Sequence, residues 1–273
     1  MGIAGRSILF SRKDDWEADI RSTIKTHKPH FHEFQDVDAN RFDLVVPLTL
    51  RDARHFNRHC VHLNQVTALV PSDEAIDACD DKQEFARRLS QAGFRDFLPR
   101  DDDLRYPYLL KKKISEWGID IHLIRDAGDE RAYRERLRSD DYLQQEYVSG
   151  QQEYTTHILM AKGRNAFMRT LEFTFAETLF VKGKSFSPVS QACVDHARFS
   201  TLFESILNCV GFQGFCCFNY KLCDGRPKIF EVNPRYGASL TFFLDDAIAN
   251  LLKALPAPVS RFRRWFPAAQ IRV

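Results

Sequence analysis

Two strand-like runs, Phe215 to Leu222 and Pro227 to Val232, are separated by Cys223-Asp224-Gly225-Arg226. An Asp-Gly pair between such runs signals a tight hairpin, because the favoured turn needs positive φ at its central residues. This hairpin constrains the chain more than any other feature. Glu231 and Asn233 lie two apart and therefore share a strand face. Counting away from the turn puts Asn219 near the level of Glu231, which gathers oxygen ligands at one end of a sheet. Hard divalent cations such as Mg2+ suit ligands of this kind, usually together with substrate phosphates. Arg235 adds a fixed charge with the fork geometry for phosphate or carboxylate. From the residues alone a second reading stays open: Glu231 and Arg235 form a surface ion pair, and Asn233-Pro234 starts a turn.

The amino-terminal part alternates strand and helix patterns. Ser7 to Ser11, Phe31 to Gln35, Leu44 to Thr49 and Thr67 to Val70 read as strands, while Asp14 to Thr26 and Asp52 to Asn64 read as helices. Such alternation predicts a parallel α/β sheet. A two-part helix follows, opened by Pro71-Ser72-Asp73-Glu74, where Ser72 or Asp73 can cap the exposed amides, and closed at Gly93. Asp101 to Asp103 reads as a solvated linker. Beyond it, hairpin strands are expected at Tyr108 to Lys111 and Ile119 to Ile124, a helix at Glu130 to Leu137 and a strand at Tyr142 to Tyr147. Tyr154 to Met160, Ala166 to Phe175 and Leu179 to Val181 read as further strands, and Ala192 to Cys209 as a helix. The expected division is therefore residues 1–103 and 104–273, with 104–147 and 148–185 contributing a smaller lobe.

Composition removes several function classes. Lys and Arg number 39 against 37 acidic residues, a formal net charge of +2 that gives no footprint for nucleic acid. Apolar runs such as Leu44 to Leu48 are far shorter than the roughly 20 residues needed to span a bilayer, and Met1 to Phe10 has no signal-peptide pattern. A cytoplasmic protein is expected, without nucleic-acid or membrane partners. Seven cysteines without a CxxC pair indicate reduced structural thiols. No G-x-S-x-G is present, so serine hydrolase chemistry is unsupported.

The stretch Gly211-Phe-Gln-Gly-Phe-Cys-Cys-Phe-Asn219-Tyr-Lys, followed by Asp224-Gly225-Arg226-Pro-Lys-Ile-Phe-Glu231-Val-Asn233-Pro-Arg235-Tyr-Gly-Ala-Ser239-Leu, closely resembles the carboxy-terminal signature of the ATP-grasp enzymes. It is most similar to the branch of carbamoyl-phosphate synthetase large chains, biotin carboxylases and carboxylate-amine ligases. The resemblance covers roughly residues 40 to 245. It implies an α/β protein in which a Rossmann-like domain precedes an ATP-grasp fold. It also implies that Glu231 and Asn233, with Asn219, hold Mg2+, or Mn2+ in its place, against ATP phosphates, and that Arg235 meets the acyl phosphate or substrate. Upstream, the stretch through Lys82 resembles the helix whose basic residue approaches the phosphates. Tyr106-Pro107-Tyr-Leu-Leu-Lys111 resembles the P-x-x-x-K strand whose lysine binds the α- and β-phosphates. Gln145-Glu146-Tyr147-Val148-Ser-Gly150 resembles the hinge, whose backbone and Glu146 would border adenine, while Glu153 would reach the ribose.

Three departures stand beside these matches. The family's first metal ligand is usually acidic, whereas Asn219 is neutral. Lys112 to His122 holds only Gly118, where many relatives carry a glycine-rich lid. The sequence ends soon after Leu255, so no fused carrier or synthetase domain is expected. Lys182 and Lys184 flank Gly183 on an expected hairpin, either as a surface turn or as a lid closing on phosphate, and Arg169 carries the same two readings. His55, His59 and His62 fall on one helix face beside Cys60, a spacing open to a transition metal but read first as a polar face. His27, His30 and His32 read as solvated.

The expected activity is ATP-dependent ligation. A small-molecule carboxylate is activated as an acyl phosphate, and an amine displaces phosphate to form a C–N bond. A phosphotransferase on the same fold and a nucleotide-binding module with impaired catalysis are the alternatives, and a homodimer is left open.

Overall fold

The computed structural model describes residues 5–59, 67–115, 120–183 and 186–255. Strands β1 (Ser7–Ser11), β2 (Lys28–His32), β3 (Leu44–Val46) and β4 (Thr67–Ala68) form a four-stranded sheet in the order β2-β1-β3-β4. All its pairings are parallel, as strand-helix alternation predicts. Helices α1 (Asp14–Thr23) and α2 (Leu50–His59) connect these strands. Of the histidine trio, His55 and His59 meet with ring centroids 4.6 Å apart and planes tilted by 41°, and His62 lies outside the described residues. Among the described residues no group of three or more His, Cys, Asp or Glu is placed to hold a metal ion. No described helix is long and apolar enough to cross a membrane.

Helices α3 (Asp73–Asp80) and α4 (Lys82–Gln91) form the expected two-part helix. Ser72 accepts from the Ala75 amide, and Asp81 accepts from those of Gln83 and Glu84, so each segment has its own amino-terminal cap. Ala75, Ala78, Cys79, Phe85 and Leu89 pack in one cluster with Ile158, Cys216 and Phe218. The pair thus buries its apolar side in the carboxy-terminal part of the molecule, although it lies within residues 1–103.

Next comes a three-stranded antiparallel sheet, β6-β5-β7, from β5 (Tyr108–Lys112), β6 (Ile121–Ile124) and β7 (Tyr142–Glu146). Short helices α5 (Ala127–Ala132) and α6 (Arg134–Leu137) lie between β6 and β7, and Tyr133 and Leu137 cover a core of Tyr108, Leu110 and Ile124. Alternation along β5 leaves Leu109 and Lys111 on the opposite face.

The largest sheet is antiparallel, in the order β10-β9-β8-β11-β12. It comprises β8 (Gln152–Ala161), β9 (Arg164–Thr174), β10 (Ser190–Val194), β11 (Gly214–Cys223) and β12 (Arg226–Asn233). The even-numbered residues of β8 and β11 pack with α3, α4 and α7 (Ser200–Cys209). Among the odd-numbered residues, Leu159 and Phe215 pack with Trp16, Val46 and α8 (Leu244–Ala254), which ties this sheet to the first one. The rest of that odd face is the floor of a cleft.

Three expectations need correction. Residues 148–185 supply β8 and β9 to the large sheet, because β8 pairs with β11 from Gly214↔Met160 to Tyr220↔Tyr154. Among the described residues, 104–147 alone make the small sheet. Leu179 to Val181 is not a strand, and its loop is pinned by the Tyr147 hydroxyl, which takes the Phe180 amide and donates to a loop carbonyl. Ala192 to Cys209 is not one helix. Ser190–Val194 is an edge strand whose outward side chains blur the strand alternation, and the helix starts at Ser200.

Candidate active site

The cleft, about 280 Å³, lies between the large sheet and the face of the small sheet that carries Leu109 and Lys111. Its floor owes its composition to a β-bulge. Counting from the Asp224-Gly225 turn, Cys223 pairs with Arg226 and Tyr220 with Ile229, and an unbroken ladder would pair Asn219 with Phe230. Instead the register shifts between Asn219 and Tyr220, and Asn219 pairs with Glu231. The extra residue returns Glu231 and Asn233 to the face of Asn219 and Cys217, which one step of slip would have denied them.

Glu231 is the hub of the site. Its Oε1 accepts from Asn219 Nδ2 at 2.9 Å and Asn233 Nδ2 at 3.1 Å. Its Oε2 lies 3.5 Å from Lys82 Nζ. Burial pushes the carboxyl up, but the Lys82 and Lys111 ammoniums and the two amides outweigh this, and the net pKa lies below its ordinary value. Lys82 stands behind the cleft wall, buried, with its Nζ donating to the Ser115 carbonyl at 3.0 Å. Lys111 lines the cleft, donates to Gln145 Oε1 at 2.5 Å and sits 5.3 Å from the Phe230 ring. Burial draws its pKa down to about 8 against the pull of Glu231.

The hinge places its side chains in alternate directions. Gln145 pairs with Leu109 and shares its cleft-facing side, whereas Glu146 pairs with Tyr108 on the other. Accordingly Glu146 accepts from the backbone amide and guanidinium of Arg100 and does not line the cleft. Its expected place beside a base is therefore corrected. Tyr147 and Val148 do line the cleft. Glu153 is buried there, 3.3 Å from Lys182 Nζ, which also donates to Thr155 Oγ1 and lies 3.8 Å from the Phe173 ring. Lys184 lies outside the described residues. Arg169 instead pairs with Asp246 at 3.7 Å.

Arg235 lines both the cleft and a neighbouring cavity of about 20 Å³ shared with Pro47 and Thr49, which follow β3. Its guanidinium donates to the Tyr236 carbonyl at 3.2 Å. The donor chemistry suits a hard cation: one carboxylate, with amide oxygens on Asn233 and Asn219, leaves coordination positions for phosphate oxygens. Asn219 is the weaker candidate, because its Oδ1 already accepts from Thr155 Oγ1 at 2.8 Å.

Two further groups in the cleft are given no role by the sequence motifs. Lys221 is buried with its Nζ on the carbonyls of Val148 (3.0 Å) and Gly150 (2.9 Å), and desolvation lowers its pKa to about 8. Its spacing of two from Asn219 is the available signal. His157 bonds Ser239 Oγ at 2.8 Å, and complete burial holds the ring neutral with a pKa near 3. A Cβ on Gly237 would lie 2.7 Å from His157 Cε1, so glycine is required for this approach.

No family model matches the chain, and no curated protein matches its sequence. Solved structures do match its shape. D-alanine–D-alanine ligase from Bacillus anthracis, complexed with ATP, is 11% identical over 90% of this chain and 95% of that one, with a TM-score of 0.59. N5-carboxyaminoimidazole synthetase from Staphylococcus aureus, complexed with ADP, is 13% identical over 93% and 79%, with a TM-score of 0.62. Phosphoribosylamine–glycine ligase from Thermotoga maritima is 13% identical over 90% and 75%, with a TM-score of 0.65. The class is thus an α/β protein with a parallel sheet and a cleft between a small and a large antiparallel sheet. In fold, the chain is similar to these three enzymes.

Proposed function

We propose that this protein is an ATP-dependent ligase that activates a small-molecule carboxylate as an acyl phosphate and joins it to an amine, releasing ADP and phosphate. The observation that carries this reading is the convergence of Glu231, Asn233, Lys111 and Arg235 on one end of the cleft. ATP complexed with one structural neighbour and ADP with another support a nucleotide here.

Phosphoryl transfer asks the protein mainly for positioning and charge neutralisation. In this reading Lys111 meets the phosphates, and Lys82 neutralises Glu231 from behind while fixing its orientation. Glu231 and Asn233 would hold Mg2+, whose charge would offset that of the phosphates. Arg235, at the junction with the first domain, faces the carboxylate and stabilises the charge that develops on the transferred group. The carboxylate oxygen attacks the γ-phosphorus, and the bond to the β-γ bridging oxygen breaks as ADP leaves. The amine nitrogen then attacks the acyl carbon, loses a proton and expels phosphate. A screen of carboxylic acids and amines in pairs, read as phosphate release, tests this with Glu231→Ala as the blank. Release that requires both partners and disappears in the blank supports ligation. Release with the acid alone selects a phosphotransferase.

A second reading draws on one observation: Asn219 is neutral and its oxygen is engaged by Thr155. A nucleotide-binding module with impaired catalysis fits that feature. Mg·ATP binding without turnover across the screen would select it.

A further inference from the structure

We infer that Lys221 reads the nucleobase, so that the cleft accepts a 6-oxo purine at least as well as adenine. The inference rests on the nucleotide reading above and specifies the base end of the same site. The cleft has two unlike ends. Lys111, Glu231, Asn233 and Arg235 suit anionic phosphates, and Tyr147, Val148, Phe173 and Phe180 suit a flat apolar ring system. A base therefore belongs beside the Val148–Gly150 backbone.

Backbone carbonyls are the acceptors that an exocyclic amine would seek. Here those of Val148 and Gly150 already accept from Lys221 Nζ, at 3.0 and 2.9 Å. The ammonium is held in place on other sides too. It lies 4.1 Å from the centre of the Phe180 ring and 5.0 Å from that of Tyr147, with the Tyr147 hydroxyl at 3.5 Å. Lys221 is 3% exposed yet lines the cleft. An ammonium carries three donors and no acceptor. Two of the three are taken by those carbonyls and the third has only the Tyr147 hydroxyl at 3.5 Å, so a base edge arriving here meets one N–H where free carbonyls would otherwise stand. The 6-amino group of adenine then faces a donor with its own donor, and only ring nitrogens can answer. A 6-oxo purine offers O6 and N7 side by side as acceptors. The lysine thus supplies an attraction to one base and a mismatch against the other, which together set specificity.

Calorimetric titration of the full chain with Mg·ADP and with Mg·IDP tests this, in wild type and in Lys221→Met, which keeps an unbranched stem and frees both carbonyls. The wild type is expected to bind IDP at least as tightly as ADP. In the variant, the ratio of dissociation constants should move toward ADP by about tenfold, the scale on which paired and unpaired polar groups discriminate. A wild-type preference for ADP overturns the inference without recourse to any variant, and so does an unmoved ratio in a folded Lys221→Met protein. Binding of neither diphosphate overturns the nucleotide reading itself, and this inference falls with it. Binding of both with the ratio unchanged overturns this inference alone.

Discussion

The two ends of the cleft solve the problem of buried charge in different ways. At the Glu231 end, Lys82 and Lys111 flank the carboxylate, and two amides complete its shell. At the hinge end, Lys221 has no carboxylate in hydrogen-bond contact among the described residues and is held by two backbone carbonyls and two aromatic rings. The first arrangement is built from opposite charges, so that an incoming phosphate and cation can exchange with existing partners. The second is built from fixed dipoles and tolerates a neutral ring far better than another charge. The contrast teaches that a cleft can be rich in lysine throughout while only one end is suited to anions.

The largest effect that could break this comparison is expected for Glu231→Ala. Loss of the hub should lower phosphate release by about a hundredfold or more, the range seen when a charge-stabilising group is removed. It should also lower Tm, because Lys82 is left buried without its counter-charge. Residual turnover near wild type would mean the phosphates lie elsewhere.

Raising pH should act next most strongly, through Lys111. Its pKa near 8 means that the ammonium is lost as pH rises through that value, with Glu231 and Glu153 opposing the loss and Lys82 favouring it. Mg·ADP affinity is expected to fall roughly tenfold between pH 7 and 9, about one unit beyond the titration point. Folding stability moves the other way. Between about pH 8 and the ordinary lysine value of 10.5, the unfolded chain holds a proton that the folded one lacks, so the Lys111 contribution grows with pH. Affinity and Tm that fall together over this window would contradict the assignment.

A smaller, several-fold gain is expected for Asn219→Asp, which adds charge to the ligand set. Without a divalent cation the same change should lower Tm, because Glu231 loses the Asn219 amide donor and gains a like charge. Addition of Mg2+ should restore it, as thermal unfolding with and without chelator will check. Smallest of all is Glu146→Gln. Its carboxylate pairs with a half-exposed Arg100 outside the cleft, so nucleotide affinity should change by less than about twofold.

Much of the Glu231 end is legible in the amino-acid sequence. Period-two alternation puts Glu231 and Asn233 on one face, and the Asp224-Gly225 turn brings Asn219 alongside. What spacing does not reveal is the bulge at Phe230, since an inserted residue leaves no hydrophobic mark when its side chain also faces the site. The hinge end is less legible. Glu146 invites a functional role by its charge, yet one step of alternation turns it toward Arg100. Lys221 looks like a solvated strand residue, and only the approach of the Val148–Gly150 backbone, 71 to 73 residues away in sequence, makes it part of a site. The parallel first sheet is readable from strand-helix alternation. The extent of the small lobe is not, because β8 is buried on both faces yet mixes polar and apolar residues, so its pattern does not name its partner.

The central claim is that the Lys111–Glu231 end binds the phosphates of a nucleotide, and calorimetric titration of Mg·ADP into wild type and Lys111→Met tests it most directly. The account predicts saturable binding by the wild type and a loss of about tenfold or more in the variant, the scale of a charge-assisted phosphate contact. Equal affinity in the two proteins, or no binding by the wild type, would contradict it.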